Sequence, residues 1–168
     1  MTKYKMTDET KEFLGRTLHR IVCVTAFADV AAGELGGWIE SENNLDQYGN
    51  AWVSGNARVS DDAWVSGNAR VYGDAQVYGD ARVYGNAQVY GDAWVKKTAD
   101  YIVLKNNWSS GRYFTYTLSN KMWKVGCFYG TGEALIKKAY ADSELSGKCY
   151  EAAVRYVEAL EKIQAEAK

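Results

Sequence analysis

Between residues 51 and 95 the apolar positions recur every six residues, with Val at 53, 59, 65, 71, 77, 83, 89 and 95 and Ala at 51, 57, 63, 69, 75, 81, 87 and 93. Each Ala and Val flank one Trp, Arg or Gln, so every unit reads as a short strand with a small apolar face inward and a polar or aromatic face outward. From one Val to the next Ala the chain runs Ser or Tyr, then Gly, then Asn or Asp, as in Val71-Tyr72-Gly73-Asp74-Ala75-Gln76, with Asp61 once in the glycine place. These are turn residues: Gly tolerates positive φ, and Asn and Asp bond back to their own backbone. A meander of antiparallel hairpins with such short strands leaves most edges unpaired. A parallel β-helix stacks each strand on its equivalent one coil away and merges the Val and Ala faces into one core.

The repeat resembles the hexapeptide-repeat family, whose members form left-handed β-helices of triangular section with three hexapeptides per coil. The likeness is strict over residues 47–94 and looser from Ile39 and Leu45, which are also six apart, before a two-residue insertion. On that geometry residues 18 apart stack at the ~4.8 Å spacing of neighbouring strands. Trp52 then lies beneath Arg70 and Gln88, Trp64 beneath Arg82, and Arg58 beneath Gln76 and Trp94. Two Trp–Arg contacts are expected, each worth ~0.5–1 kcal/mol. Ser54, Tyr72 and Tyr90 share a column, as do Ser60 with Tyr78 and Ser66 with Tyr84. Asn50, Asn68 and Asn86 form a corner ladder; Asp62 stacks with Asp80 and Asp74 with Asp92, as solvated turn residues with too few oxygens for a cation site.

Residues 17–25 read as an extended segment that caps the coils, because an open solenoid end exposes apolar side chains and backbone. In the lead-in Ala32-Gly33-Glu34-Leu35-Gly36-Gly37-Trp38-Ile39-Glu40 the glycines permit a sharp entry and Trp38 is placed to plug the first coil. After Val95 the composition turns basic: residues 95–168 hold 12 basic and 8 acidic side chains, net +4, against -3 for residues 1–46 and -2 for 47–94. Segments 101–105, 112–119 and 121–128 read as strands, Thr131 as the cap of a helix through Ala141, and 148–167 as a second helix with Tyr150, Ala153, Val154, Val157 and Leu160 at helical spacing. The expected fold class is therefore mixed β/α: a short left-handed parallel β-helix with an N-terminal β cap and a C-terminal α+β unit of three strands and two helices. The boundaries fall at 1–38, 39–95 and 96–168.

The whole arrangement is similar to a group of phage and prophage proteins of unassigned role. Tyr4-Lys5-Met6-Thr7, Gly15-Arg16-Thr17-Leu18-His19-Arg20-Ile21, Gly36-Gly37-Trp38-Ile39-Glu40 and Gly126-Cys127-Phe128-Tyr129-Gly130-Thr131 carry that likeness, which supplies architecture and origin but no catalytic residues.

The chemistry is sparse. Many hexapeptide-repeat proteins are acyltransferases, and the resemblance implies a histidine base on a coil or its loop. The single histidine, His19, precedes the repeat on the cap, so an acyltransferase stands as the alternative reading and no catalytic residue is assigned. Cys23, Cys127 and Cys149 are odd in number and widely spaced, which offers neither a disulfide framework nor a zinc knuckle. No metal or cofactor is expected. A net charge of -1 argues against broad duplex nucleic-acid binding. The chain lacks an apolar run of spanning length and a signal-peptide core, so a cytosolic protein without membrane contact is expected.

What remains is surface. Trp52, Trp64, Trp94, Tyr72, Tyr78, Tyr84 and Tyr90 lie beside Arg70 and Arg82 on rigid faces, the residue types of interface hot spots. These nine are the candidate binding residues. The leading reading is a non-enzymatic, phage-derived binding protein, an oligomeric scaffold that captures a host protein, a counter-defence inhibitor among the options, or sequesters a nucleotide-like ligand. A structural or assembly component of a phage is a further alternative. The resemblance makes a trimer the first expectation for the homo-oligomer.

Overall fold

The computed structural model describes residues 1–168. A hairpin of β1 (Tyr4–Phe13) and β2 (Arg16–Cys23) leads through β3 (Leu35–Ile39) into eight two-residue strands: β4 (Trp52–Val53), β5 (Arg58–Val59), β6 (Trp64–Val65), β7 (Arg70–Val71), β8 (Gln76–Val77), β9 (Arg82–Val83), β10 (Gln88–Val89) and β11 (Trp94–Val95). There follow β12 (Tyr101–Lys105), β13 (Tyr113–Thr117), β14 (Met122–Val125), β15 (Phe128–Gly130), α1 (Gly132–Asp142) and α2 (Glu144–Glu166). The coil strands stack in parallel on three faces: β3-β5-β8-β11, β4-β7-β10 and β6-β9. The register is the one the repeat dictates, with Trp52 paired to Arg70, Arg70 to Gln88, Trp64 to Arg82, Arg58 to Gln76 and Gln76 to Trp94. The two-residue insertion is absorbed in the first coil, where Trp38 pairs with Arg58 and Leu45 bridges Val65.

Every repeat Val and Ala is buried, and with Tyr4, Ile21, Cys23, Val30, Ile39, Leu45 and Trp52 they form one core of 23 residues. A buried Val contributes about 1.5–3 kcal/mol. The corner glycines take positive φ, as at Gly67 (66°) and Gly85 (66°). Asp61, the one departure, takes φ 59° and uses its side chain: its carboxylate accepts the Gly79 N–H at 2.9 Å and pairs with Arg16 of the hairpin. Glu40 completes the clamp, pairing with Arg16 at 2.7 Å and accepting the Asp61 N–H at 2.7 Å.

The cap is a two-stranded hairpin whose second strand pairs antiparallel with β3. A register shift lies between Arg20 and Val22, and both Leu18 and Ile21, three apart, are fully buried where strict alternation would separate them. Trp38 does not plug the coil. It lies outward in the Arg58 column, under Lys11 (4.3 Å) and Arg20 (5.6 Å), while Ile39 takes the interior position. Gly36 and Gly37 are required by space and not by a turn: a Cβ on Gly36 would meet Ile21 Cγ1 at 2.5 Å, and one on Gly37 would meet the Ala57 carbonyl at 2.8 Å.

The C-terminal unit has four strands, one more than expected. Gly126, at φ 54°, reverses the chain and splits 121–128 into β14 and β15. Its helices pack on the sheet over a second core centred on Phe114, Tyr116, Trp123, Leu135, Tyr150, Val154 and Val157. Thr131 caps α1 through the Ala134 N–H at 3.3 Å. Ser143 caps α2 through the Ser146 N–H at 3.1 Å, so α2 begins before the expected Lys148. Gly147 sits inside α2 because the Tyr140 ring occupies the space of its Cβ.

Candidate binding groove on the β4-β7-β10 face

The nine candidate residues fall on three faces. Trp64 and Arg82 share the β6-β9 face, with the guanidinium 5.6 Å from the ring, and Tyr84 stands exposed beside them. Tyr78 is half-buried beside the hairpin tip with Phe13 and Leu14, and Trp94 is exposed at the top of the β11 column. Trp52, Arg70, Tyr72 and Tyr90 belong to the β4-β7-β10 face. The expected Trp52–Arg70 contact does not form although the register is right. Trp52 is 1% exposed, covered edge-on by Phe27 (5.6 Å) and Tyr4 (6.4 Å), while Arg70 turns to Asp29 in the same covering loop. Trp52 therefore offers no surface to a partner, and of the candidate aromatics only Tyr84 and Trp94 are largely exposed.

On the β4-β7-β10 face a groove of about 380 Å³ is lined by Asp29, Ser54, Arg70, Tyr72 and Gln88. It adjoins, at Gln88, a cavity of about 180 Å³ whose other walls are Asn68, Asn86, Arg112, Tyr113 and Gly126. The repeat builds the floor, because each outward position of β7 and β10 is fixed by the buried Val beside it. The Asn ladder forms one rim, Asn50 to Asn68 at 3.1 Å and Asn68 to Asn86 at 3.3 Å. The other rim is aromatic. Tyr72 and Tyr90 lie 4.5 Å apart, Tyr129 of β15 meets Tyr90 edge-on at 4.8 Å, and the Lys124 ammonium is 5.0 Å from the Tyr90 ring.

Burial pushes the Tyr72 hydroxyl up to about 12, helped by neighbouring Tyr90, so it remains a donor; it donates to Gln88 Oε1 at 3.2 Å. Burial lowers the Lys124 pKa, and its ammonium donates to the Gly126 carbonyl at 2.6 Å. The Arg70–Asp29 pair is lopsided: the Arg70 side chain is 25% exposed and that of Asp29 is 80% exposed. Solvated pairs of this kind contribute at most about 1 kcal/mol, so an incoming anion can displace Asp29 at little cost. Asp29 is the one carboxylate lining either cavity, and no His, Cys or Lys lines them. The groove is equipped to hold an anion and a hydrogen-bonding planar group. Its one carboxylate, Asp29, is paired with Arg70.

His19 is half-buried on β2, opposite Ile39, with Nδ1 3.4 Å from the Thr7 carbonyl. The corner carboxylates take amide partners: Asn56 donates to Asp74 at 3.3 Å and Asn120 to Asp92 at 2.9 Å, which holds the Asp92 pKa low. No group of three or more metal-type side chains converges. A further cavity of about 300 Å³ lies between the C-terminal sheet and helices, and Arg112 lines it as well as the smaller groove cavity. Sequence reasoning missed Asp29, Gln88, Arg112 and Lys124. Gln88 was legible from its column above Arg70, and Arg112 and Lys124 only as members of a basic unit. Nothing in the sequence placed Asp29 beside Arg70.

Residues 51–67 and 75–91 match the family described as YdcK β-solenoid repeat. The chain is 36% identical over 61 residues to a protein of Escherichia coli (strain K12) named "Uncharacterized acetyltransferase YdcK". That similarity covers 32% of this chain and 19% of the relative, so the chain spans about a fifth of its length. With the three stacked faces, these matches make the protein a hexapeptide-repeat-like β-helix protein with a mixed β/α fold.

Proposed function

We propose that the protein is a non-enzymatic binding protein that takes a nucleotide-like anionic ligand in the groove on the β4-β7-β10 face. One observation carries this reading: Arg70, Tyr72 and Gln88 converge on a groove of about 380 Å³ that leads toward Arg112 and whose one carboxylate, Asp29, is paired with Arg70. Arg70 and Arg112 supply charge for phosphate, the Gln88 amide and Tyr72 hydroxyl supply hydrogen bonds, and the Asn rim supplies more. On this reading the protein works in the cytosol; no helix is long and apolar enough to cross a membrane.

The test is a thermal-shift and calorimetric titration of the full chain with ATP and, separately, acetyl-CoA. Saturable stabilisation by ATP is expected, reaching about 2.7 kcal/mol at a hundred times Kd. It should disappear in Arg70→Ala and Tyr72→Ala, both of which should keep the melting profile of the parent. Absence of binding, or binding indifferent to both substitutions, overturns the proposal.

The second reading is an acetyltransferase, favoured by the partial likeness to the Escherichia coli relative. It requires His19, the single histidine, to act from outside the groove. Acetyl-CoA turnover abolished by His19→Ala with the fold retained would establish it over the binding reading.

A further inference from the structure

The cavity of about 300 Å³ between the C-terminal sheet and its helices holds a hydrogen-bond donor and two cations that the fold leaves unused. The donor is on Tyr150 of α2. Asn106, at the end of β12, is 3% exposed, and its side chain has one orientation: Oδ1 accepts the Ser109 N–H at 2.9 Å and the Ser109 hydroxyl at 3.1 Å. The amide nitrogen is thereby turned to Tyr150, where it donates to the phenol oxygen at 3.2 Å. The Tyr150 hydroxyl hydrogen then has no acceptor in the chain, although the residue is only 9% exposed. Leaving such a donor unmatched is costly in a closed core, and here a cavity lies in front of it.

The cations are Arg112, where the loop after β12 rejoins the sheet, and Lys138 of α1. Neither forms an ion pair, and Asp142, the one carboxylate lining the cavity, pairs with neither of them. Two cations and one carboxylate leave the cavity with a single net positive charge. Arg112 is tied to the donor side, because the Asn106 N–H donates to the Arg112 carbonyl at 2.8 Å and closes the loop between them. Much of the remaining lining is apolar: Val125 and Phe128 from the sheet, Leu135 and Ala139 from α1.

We propose that this cavity is a second binding site, for a small apolar monocarboxylate. A carboxylate accepts the free Tyr150 hydrogen and compensates the unpaired cations, with charge-assisted hydrogen bonds from Arg112 or Lys138. One net positive charge matches a monoanion and leaves a phosphate dianion half compensated. The volume is at the lower end for small-molecule cavities, so it admits an aryl or short alkyl body against Phe128 and Leu135 and excludes a nucleotide. Water can accept the hydroxyl hydrogen, but it leaves the cations without a counter-ion and the apolar walls wet. The site shares Arg112 with the cavity that adjoins the groove and shares no residue with the groove itself.

Calorimetric titration of the full chain with phenylacetate and with hexanoate, one aryl and one alkyl acid, tests this. Saturable binding of at least one is expected, with a Kd of about 1 mM or tighter for ligands of this size. Phenylacetamide, of the same shape without the charge, should bind at least about tenfold more weakly. Lys138 is exposed and unpaired, so Lys138→Gln should keep the melting temperature and weaken the acid at least about threefold; Tyr150→Phe should weaken it at least about fivefold. Arg70→Ala, which disables the groove, should leave acid binding unchanged. A second readout locates the ligand. The exposed Cys127 thiol lines the cavity and Cys149 does not, so the bound acid should slow alkylation of Cys127 by iodoacetamide and leave Cys149 as it was, read by peptide mass spectrometry. Failure of both acids to saturate, equal binding of the amide, affinity indifferent to Lys138→Gln, or an unprotected Cys127 would each overturn the proposal.

Discussion

The two ends of the solenoid face the same problem with opposite polarity. Along the coils, N–H groups of outward and corner residues donate toward the C-terminal end, as from Trp52 to the Ala69 carbonyl (3.0 Å) and Ser54 to the Val71 carbonyl (2.9 Å). The first coil is therefore left mainly with carbonyls, and the last mainly with N–H groups together with outward-residue carbonyls such as that of Arg82. The N-terminal end is closed by donors: the Lys3 ammonium on the Ala51 carbonyl at 2.9 Å, the Tyr4 hydroxyl on the Leu45 carbonyl at 2.6 Å, and strand β2 on the third face. The C-terminal end is closed mainly by acceptors, one hydroxyl per face: Thr98 takes the Arg82 N–H at 3.0 Å, Thr115 the Gln88 N–H at 2.9 Å, and Ser119 the Trp94 N–H at 2.8 Å. Tyr101 adds a double contact, accepting from the Tyr84 N–H and donating to the Arg82 carbonyl. A parallel solenoid thus dictates the chemistry of its caps, since each buried backbone group must find a partner of the complementary kind.

The largest effect belongs to the middle, where neither end contributes. Val77→Asp places an unpaired charge in a fully buried column and should cost about 3–5 kcal/mol, enough to unfold the coils by circular dichroism. An equally stable variant would contradict the buried-Val column.

At the ends, removing one cap group should cost about 1–3 kcal/mol by leaving a buried partner unsatisfied. Tyr4→Phe strips a donor from the carbonyl end and Thr115→Val an acceptor from the N–H end. Because the two lie at opposite ends of the coils, their costs in urea denaturation should add within about 0.5 kcal/mol. Strong coupling would mean that the ends are not independent.

A pair of glycines sharpens the contrast between free and covered corners. Gly85 and Gly91 have φ of 66° and 71°, yet a Cβ on Gly85 meets nothing, whereas one on Gly91 lies 2.1 Å from the Tyr129 hydroxyl. Gly85→Ala should cost only the conformational strain, about 1 kcal/mol. Gly91→Ala should cost measurably more by thermal denaturation, since it also displaces the C-terminal sheet from the coil.

The interior of the coils was legible because it is written in one period: Val and Ala at fixed spacing determine register, stacking and the positions of Gln88, Arg82 and Trp94 without further information. The groove was half legible. Arg70, Tyr72 and Tyr90 follow from the period, but the loop that buries Trp52 and brings Asp29 to Arg70 joins residues 41 apart and leaves no local pattern. The fourth strand of the C-terminal sheet was lost for a local reason, since Val125-Gly126-Cys127-Phe128 reads as a continuing apolar run until Gly126 turns it. The early start of α2 was hidden by Gly147, a poor helix former kept because Tyr140 packs on it. The caps were legible as a need and not as a mechanism, because hydroxyl and ammonium groups far apart in sequence supply them.

The smallest expected effect is a pH dependence that separates the two ends. Burial lowers the Lys3 pKa to about 8 against the usual 10.5, with Asp46 opposing the shift and Arg70 adding to it. Below about pH 8 the lysine is charged in folded and unfolded chains alike, and the full cost of burying the charge is present. Between about pH 8 and about pH 10 the unfolded chain binds more protons than the folded one, so this group makes stability rise with pH. The buried Cys23 thiol, whose pKa is raised, works against that rise from about pH 9. The tyrosines set the upper limit: burial raises Tyr72 to about 12 and lifts Tyr4 and Tyr116 well above the ordinary tyrosine value, so their contribution is intact below about pH 10 and is lost as pH climbs further. Melting temperature should therefore pass through a shallow maximum near pH 10. Lys3→Met should lower the melting temperature at that maximum and flatten the rise before it. The residue of the slope comes from Lys11 and Lys124, which burial also shifts downward. The fall above pH 10 should survive in Lys3→Met, because Tyr72 and Tyr116 lie away from the Lys3 end; a fall that vanished with the lysine would place both effects in the N-terminal cap alone.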